Sequence, residues 1–323
     1  MKSFTALKDD NGKRLDKYMA KVCPGLPATL LYKYLRLKRI KVNGAKAKGD
    51  MRLVEGDIID AYINDEFFVP DKTKYDFLSA SDRLNIVYED ENIIIADKPQ
   101  GLLSHPDDKE FCDTLIGRIK KYLYKKGEYS PEKSGSFTPA LANRIDRNTG
   151  GLVLAAKTAA ALKILCEKIK DRQIEKRYLA VVHGVPKEKS AVLQAYLEKN
   201  EAKNKVYLSD KKTENNRTIK TKYRVISEKN GLSLLEIELL TGRTHQIRAH
   251  MASIGLPLLG DGKYGRLAED KKLGYNKQAL YSYKVTFNFT TDAGILNYLN
   301  GKSFTEDRVY FAEQLFGVII EKI

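Results

Sequence analysis

The chain lacks the features that define several large classes of protein. Its three cysteines, Cys23, Cys112 and Cys166, form no CxxC pair, which argues against a disulfide framework or a zinc site and favours a reducing compartment. No apolar run approaches the roughly 18 residues that a membrane span needs. The first residues, MKSFTALKDDNGKR, contain no apolar core of a signal peptide. We therefore expect a soluble, cytoplasmic protein.

Motifs for bound cofactors are missing as well. The chain contains no GxGxxG, no GxxxxGK[ST] and no GxSxG, so nucleotide, dinucleotide and serine-hydrolase chemistry lack support. His245 and His250 lie five residues apart near Asp261, but without a nearby glutamate this is poor spacing for metal ligands. We expect no metal and no cofactor.

The chain is rich in positive charge. Its 323 residues carry 57 Lys and Arg against 42 Asp and Glu, a net charge of +15 that is spread along the length. This imbalance favours a polyanionic partner, of which nucleic acid is the commonest. A lysine-rich surface that merely reflects genome composition is the alternative. With 42% hydrophobic residues, the length suits two or three units with a sizeable core.

Residues 13–63 have a compact pattern of their own. Leu15, Tyr18, Met19 and Val22 recur at helical spacing, and a second helical face starts at Leu31. The stretch IKVNG predicts a short strand that ends in an Asn-Gly turn, and EGD predicts another turn before the strand IIDAYI. The outer side of the second helix is basic and carries Lys33, Arg36, Lys38 and Arg39.

Two short helices with a basic flank and a small sheet resemble the alpha-L RNA-binding module of ribosomal proteins and RNA-modifying enzymes. The opening RLD and the segment RIKVNG carry the resemblance. It implies that residues 1–63 form a small α/β RNA-binding domain whose four basic residues contact RNA. An ordinary small α+β domain with a solvated basic face is the alternative. Residues 64–82 are polar, broken by Pro70 and without a period, which predicts a linker.

Residues 83–323 predict a larger α+β catalytic domain. Two apolar runs flank Glu89–Asn92 as in a hairpin, and TAAALKILCEKIK predicts a helix with Thr158 as its N-cap and Cys166 in its apolar face. A strand is expected from Tyr178 to Val182, and TKYRVI and LLEIELL alternate as strands do. Strands in adjacent pairs favour a mixed, mostly antiparallel sheet flanked by helices. Residues 187–218, rich in Lys, Glu and Asn, predict a mobile surface insertion.

The most informative stretch is ANRIDRNTGGLVLAAK, residues 142–157. Asp146 stands between Arg144 and Arg147, and a carboxylate beside guanidinium groups should stay ionised. The paired glycines that follow allow close approach of either a ligand or a packed neighbour. A salt-bridged aspartate in a loop before a strand is the purely structural alternative.

Two further stretches add to this one. EKRYLAVVHG, residues 175–184, places Tyr178 on a strand. LLTGRTHQIRAHMASIGLPLLGDGKYG, residues 239–265, gathers polar donors at the head of a helix, where phosphate is favoured. Ile247, Met251 and Ile254 are expected to form the buried face of that helix, with Gly255 as its stop.

NRIDRNTGGL, KRYLAVVHG and GRTHQIRAHM…GLPLLGDGKYG together resemble the RluA-type pseudouridine synthases, and KPQGLLSHP matches the opening of their catalytic domain. The resemblance covers residues 84 to about 290. Two positions depart from the family pattern, which often has His at Asn143 and Ser at Gly150.

The resemblance implies an RNA isomerase that modifies uridines of structured RNA, above all large-subunit ribosomal RNA, as a monomer. It implies that Asp146 is the catalytic carboxylate, that Arg248 pairs with it and that Tyr178 lies beside the flipped base. Arg144, Arg147 and Arg243 are then candidate phosphate contacts. A non-catalytic RNA-binding or ribosome-assembly factor is the main alternative. A glycosidase-type hydrolase would need a second carboxylate beside Asp146, and the sequence has none there.

Overall fold

The computed structural model describes residues 1–68, 72–108, 110–132, 137–200 and 205–320. The chain forms two compact units, which are discontinuous in sequence. The smaller unit comprises Met1–Arg83, Pro106–Ala140 and Ala156–Lys163, and the larger one Leu84–His105, Leu141–Ala155 and Ile164–Ile323. The predicted domain limits at residues 63 and 83 remain a prediction.

The smaller unit combines helices with a four-stranded antiparallel sheet in the order β1-β4-β2-β3. Its regular elements are β1 (Lys2–Thr5), α1 (Leu15–Val22), α2 (Ala28–Arg36), β2 (Ile40–Val42), β3 (Ala45–Lys46), β4 (Ile58–Ala61) and α3 (Leu115–Lys125).

The predicted helical faces of the smaller unit form its core. Leu15 and Met19 of α1 and Leu31 of α2 pack with Ile40 and Ile59 of the sheet, and each such side chain contributes about 1.5–3 kcal/mol by leaving water. The β2–β3 connection is the expected Asn-Gly turn, with positive φ at both of its residues, because a primed turn matches the twist of the strands.

The four basic residues at the end of α2 are all exposed. Arg39 lies over the ring of Tyr34, with its Cζ 5.3 Å from the ring centroid. Lys38 has a left-handed backbone, with φ of 57°, which ends the helix and turns the chain into β2. The local fold therefore presents these charges to solvent.

The described part of the predicted linker contains short 3₁₀ helices at Asp65–Phe68 and Lys72–Ser79, while residues 69–71, which include Pro70, lie outside the described residues. Phe68 is buried in the core of the smaller unit, and Phe77 is buried against Tyr129. These aromatic anchors explain why a polar segment without a period is nevertheless structured.

The larger unit is built on one 11-stranded sheet in the order β11-β10-β12-β13-β9-β14-β8-β6-β5, with β15 on β14 and β7 on β8. β14 and β8 pair in parallel, whereas most other pairs are antiparallel, which confirms the expected mixed α+β fold. The strands are β5 (Asn85–Glu89), β6 (Ile93–Lys98), β7 (Ala140–Leu141), β8 (Gly150–Ala156), β9 (Ile174–His183), β10 (Ser190–Asn200), β11 (Lys205–Ser209), β12 (Arg217–Lys229), β13 (Leu232–Leu239), β14 (Leu280–Phe287) and β15 (Ser303–Thr305).

The remaining helices are α4 (Ala159–Lys170), α5 (Gln246–Ser253), α6 (Leu267–Lys272) and α7 (Tyr310–Phe316). Thr158 caps α4 as predicted, because its hydroxyl accepts the N–H of Ala161 at 3.2 Å. The prediction that Cys166 is a core residue is wrong, since its side chain is exposed. The buried face of α4 runs through Leu165 and Lys168 instead, and Cys166 lies one residue outside it.

Residues 187–218, predicted as a mobile surface insertion, supply β10, β11 and the first residues of β12. In their described part, 187–200 and 205–218, β10 and β11 pair with each other and β10 pairs with β12; residues 201–204 lie outside the described residues. Ala195, Leu197 and Val206 are buried, whereas Gln194, Glu198 and Tyr207 beside them are exposed.

The helix α5 has Ile247 and Met251 in its buried face, as expected, but Ile254 is 41% exposed. The helix ends at Ser253 and Gly255 takes a left-handed φ of 80°, so Ile254 has already left the helical period. In the described part of the chain no helix is long and apolar enough to cross a membrane.

Candidate active site

Asp146 lies in the tight turn that leads into β8. The N–H of Thr149 donates to its backbone carbonyl at 3.0 Å. The turn is held from the side by the segment after β6: the Ser104 hydroxyl donates to the carbonyl of Ile145 at 2.9 Å, and Gly101 N–H donates to the carbonyl of Arg147 at 2.8 Å. The carboxylate side chain, 27% exposed, is therefore presented by a rigid turn.

Lys98, the last residue of β6, supports the same turn from inside. It is fully buried, and its ammonium donates to the carbonyls of Pro99, Leu102 and Arg147 at 3.1, 2.7 and 3.0 Å. Burial lowers the pKa of Lys98 to about 7, while the charge of Asp146 acts in the opposite direction. All three ammonium donors thus bind backbone around Asp146.

The paired glycines after Asp146 make room for a neighbouring strand, β14, that packs closely against them. A Cβ on Gly151, whose φ is 111°, would lie 2.3 Å from the carbonyl oxygen of Ser282, and one on Gly150 would lie 2.5 Å from the ring of Tyr281. Both contacts come from β14, which pairs in parallel with β8 at these residues. Only glycine permits this approach without displacing β14.

Arg248 on α5 joins two carboxylates. Its Nη1 donates to Oδ2 of Asp146 at 3.0 Å, and its Nε and Nη2 donate to Asp261 at 2.7 and 2.8 Å. Asp261 is fully buried and also accepts the N–H groups of Lys263 and Tyr264. The fork geometry of arginine makes this possible and lysine cannot reproduce it.

The charges in this network stabilise one another. Burial alone would raise the pKa of Asp261, but Arg248 and the two backbone donors bring it below its ordinary value. Burial would likewise lower the pKa of Arg248, whereas Asp261 and Asp146 raise it. The guanidinium is therefore a fixed positive charge beside Asp146.

Tyr178 lies in the middle of β9, opposite Ile237 on one side and Ser282 on the other. It is only 5% exposed. Burial raises the pKa of its phenol to about 12, and the negative charge of Asp146 adds to this effect. The side chain of Tyr178 is therefore a neutral phenol at neutral pH, and it interacts electrostatically with Asp146.

His245 completes the surroundings of Asp146. Its Nε2 lies 3.9 Å from Oδ2 of Asp146 and its Nδ1 lies 3.0 Å from the Tyr264 hydroxyl. Burial lowers the pKa of His245, and Arg248 lowers it further against the opposing charge of Asp146. A half-buried carboxylate, a fixed guanidinium, a neutral phenol and a neutral imidazole thus meet in one place.

Known proteins with similar sequences identify the family of this chain. The model of a family described as RNA pseudouridylate synthase matches residues 92–253, a range that contains Asp146, Tyr178 and Arg248. The chain belongs to the RNA pseudouridylate synthase family. It is thus an isomerase that acts on uridines in RNA, and the resemblance to RluA-type synthases is confirmed.

Two curated relatives cover most of this synthase. An uncharacterized RNA pseudouridine synthase of Mycoplasma genitalium is 33% identical over 291 residues, which is 88% of both chains. A protein of Rickettsia bellii named ribosomal large subunit pseudouridine synthase C is 35% identical over 274 residues, 82% of this chain and 85% of the relative.

The fold is also found among solved structures. The human RNA pseudouridylate synthase domain containing 4 superposes with a TM-score of 0.53 at 23% identity, over 69% of this synthase and 87% of the human chain. The human domain containing 1 protein gives a TM-score of 0.52 at 20% identity, over 65% and 81%. These similarities show the fold of the synthase.

The arginines that flank Asp146 in sequence do not pair with it. Among the described residues, Asp146 has its ion pair with Arg248 and lies close to the neutral His245, while Arg147 donates its Nε to the carbonyl of Gly101 at 3.0 Å. Arg144 and Arg147 are exposed. The positive charge that the sequence suggested is present, but it comes from a residue 102 positions away.

Arg243 precedes α5 and is exposed. Its backbone N–H donates to the side chain of Gln246 at 3.1 Å, so its guanidinium is displayed by an ordered loop. The basic residues of α2 belong to the smaller unit, and their contact with RNA stays a prediction, as does the alpha-L assignment.

Sequence reasoning missed Asp261, His245 and Tyr264. It considered the first two only as metal ligands, and the structure shows His250 bound elsewhere, to the Thr221 hydroxyl at 2.9 Å. The signal that could have identified them is the density of polar residues in GRTHQIR and GDGKYG, which the synthase brings together around Asp146.

Proposed function

We propose that this synthase isomerises uridines of large-subunit ribosomal RNA with Asp146 as its catalytic carboxylate. The observation that carries the proposal is the pairing of Arg248 with Oδ2 of Asp146 at 3.0 Å in a turn held by buried backbone contacts. The name of the Rickettsia bellii relative supports the choice of RNA.

The reaction breaks the N1–C1′ bond of uridine, turns the base and forms a C5–C1′ bond, after which C5 loses its proton and N1 gains one. No atoms are gained or lost and no electrons are exchanged overall. Asp146 either attacks covalently or takes the C2′ proton so that a glycal forms; both routes need an ionised carboxylate in a site where its charge acts strongly.

Arg248 orients Asp146, because it binds one carboxylate oxygen and leaves the other for the substrate. Tyr178 packs beside the base. Since its pKa is about 12, the phenol carries its proton at neutral pH and donates a hydrogen bond in that form. Removal of the C5 proton by Tyr178 would require the phenolate.

A uridine in folded RNA must leave its stack to reach Asp146, which costs a few kcal/mol. Phosphate contacts offset this cost, and the exposed Arg144, Arg147 and Arg243 are suited to them. Binding should then weaken steeply with salt, because each phosphate contact releases counterions. A cytoplasmic, monomeric enzyme is the form in which we expect this to occur.

The two departures from the family pattern have structural explanations that leave the catalytic proposal intact. The side chain of Asn143 accepts the N–H of Leu154 at 2.9 Å, and Gly150 makes room for the Tyr281 ring. Neither replaces a group in contact with Asp146. The alternative of a non-catalytic RNA-binding factor therefore loses its main motivation.

One assay tests the proposal against its rivals. The purified protein is incubated with uridine-labelled large-subunit ribosomal RNA, and the nucleosides are analysed for pseudouridine and free uracil. Pseudouridine that forms with wild type and not with Asp146→Asn supports the proposal. Free uracil would indicate a hydrolase, and an unchanged RNA would indicate a binding factor or a different RNA substrate. Pseudouridine mapping in cells with and without the protein then identifies the position.

A further inference from the structure

The imidazole of His245 lies between Tyr264 and Asp146 at the start of α5. Its backbone is left-handed, with φ of 53°, a conformation that histidine and asparagine adopt more readily than most residues. The ring is nearly perpendicular to that of Tyr264, at an interplanar angle of 71°. The Nδ1 side faces the phenol and the Nε2 side faces the carboxylate.

The hydrogen bonds around Tyr264 decide where the imidazole proton lies. The backbone N–H of Val206 donates to the Tyr264 hydroxyl oxygen at 2.9 Å, and an amide can only donate. The phenol has one proton to donate, and Nδ1 of His245 at 3.0 Å is the acceptor placed to receive it. A neutral imidazole that accepts at Nδ1 carries its proton on Nε2.

The carboxylate selects the same tautomer. The opposite tautomer would turn the Nε2 lone pair towards the negative Oδ2 of Asp146, 3.9 Å away, whereas an N–H there is attracted. Burial and the nearby Arg248 keep the pKa of His245 below its ordinary value, so the ring is neutral at neutral pH.

Tyr264 itself is firmly placed. Its backbone N–H binds Asp261 at 3.1 Å, and two cations approach its ring: Cζ of Arg248 at 5.3 Å and Nζ of Lys205 at 5.2 Å from the centroid. The turn that carries Asp261 and Tyr264 therefore orients both groups that face Oδ2, Arg248 through the first and His245 through the second.

We propose that His245 is a positioning residue, held by Tyr264 with its proton on Nε2 so that this N–H faces Oδ2 of Asp146 and leaves Oδ1 for the nucleotide. The inference rests on the proposed function of Asp146. The distance of 3.9 Å is longer than a hydrogen bond, and such contacts commonly tighten when substrate binds. The hydrogen bond from the Val206 N–H to Tyr264 also links β11, through Tyr264 and His245, with the carboxylate of Asp146.

Two substitutions of nearly equal size test the proposal. In His245→Gln the side-chain nitrogen reaches the place of Nε2 and can still donate to Asp146. In His245→Asn it reaches only the place of Nδ1, near Tyr264, although asparagine suits the left-handed backbone well. We expect kcat to fall about tenfold to a hundredfold in the Asn variant with KM nearly unchanged, the scale of a misplaced reacting group, and less than about fivefold in the Gln variant.

His250→Gln is the matched control, because His250 is a buried histidine of α5, the helix that follows His245, and binds Thr221 rather than Asp146. It should lower thermal stability and leave kcat within about twofold. Equal kcat for His245→Asn and His245→Gln, whether both high or both low, would overturn the proposal.

A second readout does not depend on activity. With ¹⁵N-labelled histidine, the two ring nitrogens of each tautomer differ in chemical shift, and the His245 signal is assigned by its loss in His245→Gln. We expect the proton on Nε2 in wild type and a mixture of tautomers in Tyr264→Phe. A proton on Nδ1 overturns the inference even if pseudouridine forms, whereas a correct tautomer without any pseudouridine would reject the proposed function instead.

Discussion

Two sets of charged residues differ sharply in how the chain holds them. Around Asp146, each charge is buried or half-buried and paired, with Arg248 and Asp261 in direct contact. On α2, the charges of Lys33, Arg36, Lys38 and Arg39 are exposed. Fixed charges in a site of low polarity act strongly on one bond, while exposed charges act at longer range and are screened by salt. The first arrangement suits chemistry and the second suits capture of a polyanion.

The largest expected effect, a loss of kcat, comes from a change in the paired charges around Asp146. Asp146→Asn removes the negative charge and keeps the size of the side chain, so kcat should fall by at least about 10³-fold. The dissociation constant for RNA should stay within about threefold, as measured by filter binding at constant salt. A kcat within tenfold of wild type would remove Asp146 from the mechanism.

A smaller loss of kcat is expected when Asp261, the buried partner of Arg248, is changed. Asp261→Asn leaves the guanidinium buried beside a neutral amide, which costs about 3–5 kcal/mol of stability and loosens the group that orients Asp146. We expect kcat to fall about 10²-fold. The loss of stability is measured separately by urea titration. Asp270→Asn is a suitable control, since Asp270 is also fully buried but binds His183 and Gly260 N–H; it should lose stability without a comparable loss of kcat per folded molecule.

Changing the exposed basic residues of α2 should alter RNA binding and leave catalysis unchanged. Changing Lys33, Arg36, Lys38 and Arg39 together to Gln should weaken RNA binding about tenfold or more and flatten its dependence on salt, because fewer counterions are released. The kcat at saturating RNA should not change. Gln at the exposed Lys229, Lys271, Lys272 and Lys302 removes the same charge, and an equal loss there would show that α2 has no special part in binding.

Substitution is a cleaner test of this set than truncation. Residues 1–83 belong to the same compact unit as residues 106–140 and 156–163. Within that unit, the backbone of Ala159 donates to Asp9 and Lys21 contacts the Thr138 hydroxyl. A cut at residue 63 would therefore expose core as well as remove charge.

The smallest expected effect is on the stability of the protein at acidic pH. Burial lowers the pKa of His250 to about 4, so this histidine contributes stability that is present above about pH 6.5, the unfolded value, and is lost as the pH falls towards 4. The unfolded chain binds the proton more readily in that window. The melting temperature of His250→Gln should therefore decline less between pH 6.5 and pH 4.5 than that of wild type; parallel declines would contradict the assignment.

Local patterns predicted much of the fold correctly. The spacing of Leu15 and Met19, the Asn-Gly turn after β2 and the cap at Thr158 each depend on residues only a few positions apart, so they are visible in the sequence. Cys166 and Ile254 were misplaced because a helix face is decided by what packs against it and by where the helix ends. β10 and β11 escaped prediction because the large apolar residues Val192 and Tyr207 are exposed, which obscures the alternation.

The candidate site divides in the same way. Asp146, Tyr178 and Arg248 were predicted through motifs that resemble a family, and the structure brings them together. The flanking Arg144 and Arg147 looked like the partners of Asp146, yet Arg248 is the partner, because a turn directs consecutive side chains to different sides. Asp261, His245 and Tyr264 matter only through contacts with other parts of the chain, which no local pattern announces.

The sequence alone determined that the chain is basic and that it mixes helices with paired strands, and it singled out one aspartate before a pair of glycines as the candidate catalytic group. Only the tertiary structure decided which guanidinium faces that aspartate, which oxygen it occupies and which side of the imidazole is turned towards it. Composition and short-range spacing are properties of neighbours along the chain, whereas an ion pair between residues 102 positions apart exists only once the sheet has brought their strands and helix together.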